Sequence, residues 1–97
     1  MMTREDKHRI LNYTPVAIVL VDDWAALYCG NESVCQGHTI RLHDLKTYLP
    51  NYITLGMIHE IWLDGTSVEE WAFDSGRLPE YRSEVLKIWD EGANAVY

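Results

Sequence analysis

Between Lys46 and Arg77 the chain has no lysine or arginine, yet Glu60, Asp64, Glu69, Glu70 and Asp74 lie in that interval among Trp62, Trp71 and Phe73. With a formal charge of −7, the chain lacks the basic clusters that displace counterions from nucleic acids or anionic membranes, so neither is an expected direct partner. Long apolar runs are missing too. The longest, Val16 to Val21, falls far short of the roughly 20 residues a membrane helix needs. The first nine residues are rich in charge and lead into no apolar signal segment, which predicts a cytoplasmic protein of a bacterial host. Cysteine is scarce, and Cys29 and Cys35 are expected to stay reduced there. No serine or cysteine sits in a nucleophile-elbow pattern, and no glycine-rich phosphate loop occurs. No enzyme activity and no cofactor are therefore expected. Histidine as a residue type suits acid–base catalysis near neutral pH, but no nucleophile accompanies His8, His38, His43 or His59 at a recognisable spacing.

What is present fits one small domain in 97 residues. Residues 1–14 read as a charged N-terminal extension or short helix, with Thr3 as cap and Asp6 three residues on, anchored only by Ile10, Leu11 and Tyr13. Residues 15–97 read as a single α+β domain. Pro15 stops the helix, and Val16–Val21, apolar without alternation, predicts a central strand buried on both faces. Trp24–Cys29 and Ser33–His38 flank Gly30-Asn31, a dipeptide suited to a II′ hairpin turn, and Asp22-Asp23 reads as a second tight turn, giving a meander, or else as a bulge in one long bent strand, the meander being favoured. Leu42, Leu45 and Leu49 predict a short helix closed by Pro50, and Met57–Leu63 a further strand. Ser67 with Glu70 reads as a capping box opening a helix from Val68, with Gly76 as its left-handed stop. Pro79 is expected in the first turn of a last helix whose Tyr81, Val85, Ile88 and Trp89 share a stripe and which Gly92 ends. The expected fold is a small antiparallel sheet, a meander plus one strand, packed as one layer on two to three short helices. A connection through the Leu42 helix is long enough for a parallel crossover to the last strand.

Cys29, Cys35, His38 and His43 form one potential zinc set, since zinc takes sulfur and nitrogen ligands tetrahedrally. A two-residue Gly30-Asn31 loop would pair Cys29 with Glu32 and Ala26 with Cys35, pointing the two sulfurs to opposite faces. A three-residue loop would bring them to one face. Asp22-Asp23 sits at a strand end, where a shared metal ion with Glu60 or Asp64 is conceivable, but adjacent strand residues diverge and a turn explains the pair more simply. Of the four tryptophans, Trp89 falls on the last helix's stripe and Trp24 at the hairpin mouth, which leaves Trp62 or Trp71 as the exposed anchor of an interface.

The segment Val19-Leu20-Val21-Asp22-Asp23-Trp24, with Leu27-Tyr28, a tight turn, Val34 and Gln36-Gly37-His38-Thr39-Ile40, resembles a hairpin of small bacteriophage and prophage proteins. Their continuation through a short helix, a strand and a Trp-containing helix ending in Gly and Leu-Pro is similar to Trp71, Gly76, Leu78 and Pro79 here. The likeness covers roughly residues 16 to 80. It implies a viral origin and assigns no chemistry to any residue. The turn is Gly-Asn where Asn-Gly or Asp-Gly is usual, and the segment before Pro15 is additional.

These readings converge on an acidic protein-interaction module, in one form a phage-encoded inhibitor of anti-CRISPR or other anti-defence type. It would occupy the basic nucleic-acid-binding surface of a host protein. Glu60, Trp62, Asp64, Glu69, Glu70, Trp71 and Asp74 are the expected partner-binding residues. One alternative is a metal-binding protein or metal-dependent enzyme using Cys29, Cys35, His38 and His43, or Asp22 and Asp23. Another is a homodimeric structural module, which would set Glu69 and Glu70 against their own copies.

Overall fold

Val16–Val21 (β1) is apolar on both faces, and the structure sets it where both faces are covered. The computed structural model describes residues 3–95, the side chains of residues 93–95 excepted. Within it, β1 pairs antiparallel with Trp24–Cys29 (β2), which pairs antiparallel with Glu32–Gly37 (β3). Ile58–Trp62 (β4) joins the other side of β1 in parallel, giving the order β3-β2-β1-β4. The meander and the α+β class are as the sequence implied. The sheet is mixed rather than antiparallel, because the chain from β3 to β4 crosses two strands and returns in the direction of β1.

Strand alternation divides the core. Val19, Val21, Ala26, Tyr28, Ile61 and Leu63 meet Leu11 of α1 (Arg4–Tyr13), Val68 and Ala72 of α3 (Ser67–Ser75), and Val85 and Trp89 of α4 (Arg82–Ala95). Val16, Ile18 and Leu27 point the other way, against Leu45 and Leu49 of α2 (Leu42–Tyr48) and Ile53. The expected single helix layer is thus supplemented by α2 on the opposite face. The crossover has to pass over one face of the sheet, and its leucines cover that face.

The Gly30-Asn31 loop has two residues, with φ +63 at Gly30 and Cys29 opposite Glu32. Beyond Ser33 a bulge leaves Val34 unpaired, so Cys35 faces Leu27 instead of Ala26. One extra residue reverses the face of all that follow. Cys29 and Cys35 therefore both lie on the α2 side, contrary to the opposite faces expected from an unbroken ladder.

α1 carries the capping box of Thr3 and Asp6 and is not a loose extension. Arg4 bonds Asp90 at 3.1 Å and stacks 4.2 Å above the Trp89 ring, a contact worth about 0.5–1 kcal/mol at an exposed site. Three helix boundaries differ from the expectation, while the ends of β3 and β4 each shift by one residue. Thr66, not Ser67, caps α3, its hydroxyl accepting from Val68 N–H. Pro79 lies before α4, which starts at Arg82, because residues 78–82 run alongside β3: Ser33 N–H donates to Glu80 O and Arg82 N–H to Asn31 O. Gly92 lies inside α4 and does not end it. Gly76 closes α3 in the left-handed conformation as expected.

Candidate interaction groove

α3 turns two faces to different neighbours. Val68 and Ala72, one turn apart, go into the core, while Glu69 with Phe73 and Glu70 with Asp74 form i,i+4 pairs on the outer face. Opposite them, Val21 ends β1 and Asp22-Asp23 turns the chain back into Trp24. Between the turn and the helix lies an open groove of about 760 Å³. Its apolar wall is Val21, Trp24, Ala72 and Phe73, and its carboxylates are Asp22, Asp23, Glu69, Glu70 and Asp74, with no lysine or arginine among the lining residues.

Each wall is held by its own hydrogen bonds. The Glu69 carboxylate accepts the backbone N–H of Asp22 at 3.0 Å and of Gly65 at 3.3 Å, tying the turn to the start of α3. Trp24 Nε1 donates to Gln36 Oε1 at 2.8 Å. The same Gln36 oxygen accepts Leu78 N–H at 2.9 Å, while Gln36 Nε2 donates to Leu78 O at 3.0 Å. Gln36 thus pins the segment after α3 to the hairpin and fixes the indole. His38 stands edge-on to Trp24 at 5.2 Å, its Nδ1 donating to Asp23 O at 3.1 Å. Phe73 is the exception, 89% exposed with nothing covering it.

Of the expected partner-binding residues, Glu69, Glu70 and Asp74 line this groove and Glu60, Trp62, Asp64 and Trp71 do not. Glu69 is occupied by backbone donors, so its oxygens hold the groove's shape as well as its charge. Glu60 and Trp62 stand in register with Ile18 and Leu20, on the sheet face that carries α2. Trp71 is half-buried on the flank of α3 shared with Ser67, which packs on α4. Trp62 is exposed, as one of the two expected anchors, but stands away from the groove; the exposed aromatic at the groove is Phe73. Asp22 and Asp23 form the tight turn that the sequence suggested, and that turn brings them to the groove. A signal for them existed: the chain also lacks lysine and arginine from Ile10 to Ile40.

The cysteine–histidine set does not assemble. Among the described residues no three His, Cys, Asp or Glu side chains come together to hold a metal ion. His38 is engaged at the Asp23 turn and His43 is exposed on α2. Both cysteines are free thiols, and burial, helped by nearby Asp44, pushes the Cys35 thiol up from its ordinary pKa. A thiol so shifted is a poor nucleophile at neutral pH. Among the described residues no helix is long and apolar enough to cross a membrane. Comparison with known proteins found no matching family model, no matching curated protein and no matching solved structure.

Proposed function

We propose that this chain is a small acidic interaction module whose groove between the β1–β2 turn and α3 receives a basic surface of a partner protein. The observation that carries the reading is the groove itself: five carboxylates, no cation, and an exposed Phe73 on one rim. Exposed ion pairs contribute only about 0.2–1 kcal/mol each. Their main effect is to steer a basic partner and to select against an acidic one. Phe73 supplies what they lack, since burying such a ring is worth about 1.5–3 kcal/mol.

Surfaces that bind nucleic-acid phosphates are dense in lysine and arginine and so complement a groove lined by carboxylates. The proposed partner is therefore a nucleic-acid-handling protein of a bacterial host. The phage-like hairpin adds a direction to this reading: an inhibitor, of anti-CRISPR or other anti-defence type, that occupies the partner's nucleic-acid site. The test is a pull-down from host cytoplasm with tagged protein, washed at low and then high salt and read by mass spectrometry, beside a Glu70→Lys, Phe73→Ala, Asp74→Lys variant. The expected result is a nucleic-acid-handling protein that high salt releases and the variant fails to retain. Capture that resists salt and survives the triple substitution would refute the reading.

A further inference from the structure

The two edges of the sheet are treated differently. The β3 edge is covered by the segment leading into α4, through the 2.7 Å bond from Ser33 N–H to Glu80 O and an antiparallel bridge between Glu32 and Tyr81. The β4 edge is not. Leu63 N–H donates to Leu20 O at 2.8 Å, which sets the alternation of the parallel ladder: His59 and Ile61 turn their backbone groups to β1, and Ile58, Glu60 and Trp62 turn theirs outward. Ile58 N–H is taken by Leu55 O, and Trp62 O accepts Lys7 Nζ at 2.7 Å. Ile58 C=O, both backbone groups of Glu60 and Trp62 N–H have no protein partner among the described residues. A strand added in either orientation engages all four.

The side chains beside this edge suit an interface. Trp62 is 51% exposed and Glu60 is exposed on the same face, while Leu55, just before the strand, is 73% exposed. Natural proteins blunt free edges with charge or cover, and an uncovered edge flanked by exposed apolar groups is a template for strand addition. A second copy of the chain is a poor occupant. Two-fold antiparallel pairing of Ile58–Trp62 centres on Glu60 and sets that carboxylate against its own copy.

We propose that β4 is a docking edge that takes an extended segment of a partner protein, with a lysine or arginine of that segment facing Glu60 and an apolar residue against Trp62. Charge selects the occupant, and backbone pairing holds it. This inference stands on the sheet edge and holds whether or not the groove at α3 binds anything.

The probe is a fluorescent peptide of Thr-Lys-Thr-Val repeats, which sets lysine and valine on one face of a strand. Its controls carry glutamate for lysine, or N-methyl groups on alternate amides. Anisotropy is expected to show the lysine peptide binding at least about tenfold more tightly than either control. Amide exchange of the protein should slow at Glu60 and Trp62 and stay unchanged at Glu70, Phe73 and Asp74. Glu60→Pro removes one outward donor, leaves the ladder to β1 intact, and should abolish binding with the thermal transition unchanged. Glu60→Lys, which is independent of proline's backbone effects, should transfer the preference to the glutamate peptide. Equal binding of the N-methylated peptide, protection confined to α3, or no binding at about 1 mM peptide would overturn the proposal. So would self-association that protects Glu60 and Trp62, by assigning the edge to a second copy.

Discussion

Ser67 and Gly92 claim the same space. A β-carbon on Gly92 would lie 2.0 Å from Ser67 Oγ and 2.2 Å from Ser67 Cβ, and Ser67 Oγ donates to Ile88 O, one turn earlier in α4, at 2.8 Å. The first residue of α3 is thereby seated on the backbone of α4, and this contact sets how closely the two helices approach at that point. The groove is the gap on the other side of α3.

Gly92→Ala is therefore expected to destabilise the fold. Alanine gains about 1 kcal/mol of helix propensity, but the clash involves a β-carbon held close to backbone, and overpacking of this kind costs about 1–3 kcal/mol. In a Ser67→Gly background the clash is gone and the same change should be neutral or stabilising. Urea denaturation of the four proteins of this cycle gives the answer, and additive effects would contradict the contact.

Glu69 should behave unlike its neighbours. Glu69→Ala removes the acceptor of two backbone N–H groups and should cost about 1 kcal/mol, as judged by the urea midpoint. Glu70→Lys and Asp74→Lys touch no such bond and should change stability by less than about 0.5 kcal/mol. Amide exchange at Asp22 should rise in the Glu69 variant only.

Arg82 is a buried cation, 4% exposed, that closes the end of α1: its guanidinium donates to the carbonyls of Ile10, Thr14 and Pro15. Burial lowers its pKa from the ordinary value, yet the end of the helix dipole favours its charge. Arg82→Met leaves the Thr14 carbonyl without a donor, while Ile10 O keeps Thr14 and Pro15 O keeps Gly30 N–H, and should cost about 1–3 kcal/mol. Arg82→Lys should recover only part, since an ammonium cannot fork across them. Thermal unfolding of the two variants distinguishes a lost donor set from lost packing.

The α1 cap predicts an acid limit. The Thr3 amide, followed by the Thr3 hydroxyl and Arg9, holds the Asp6 carboxyl below its usual pKa. A depressed folded value means that the contribution is complete above about pH 4 and is lost as the pH falls through that lowered value. Amide exchange of α1 should accelerate over this range, and Asp6→Asn should flatten the dependence. An unchanged pH profile in the variant would remove Asp6 from the cap.

Local chemistry was legible without coordinates. Proline 15 and 50, Gly30-Asn31, Asp22-Asp23, Thr3 with Asp6, and Gly76 each act through their own backbone or a neighbour within a few residues, so strands, turns and helix ends could be read along the chain. Val16–Val21 announced its central place because only a strand covered on both faces can be apolar throughout. The acidity of residues 47–76 was equally visible.

Tertiary contact decided the rest. The sequence determined that the chain is acidic, mixed in secondary structure and carries aromatics among its carboxylates. Which carboxylates share a groove depended on the β1–β2 turn meeting α3 across 47 residues of chain, through the Glu69 bond to Asp22. Which aromatic of α3 stands exposed depended on the rotation of that helix, which leaves Trp71 half-buried and Phe73 bare. The bulge at Val34, the reuse of Ser67 as a contact, and Gly92 within a helix are likewise long-range outcomes. Pattern along a chain records which groups prefer water, but only packing settles which neighbour each one meets.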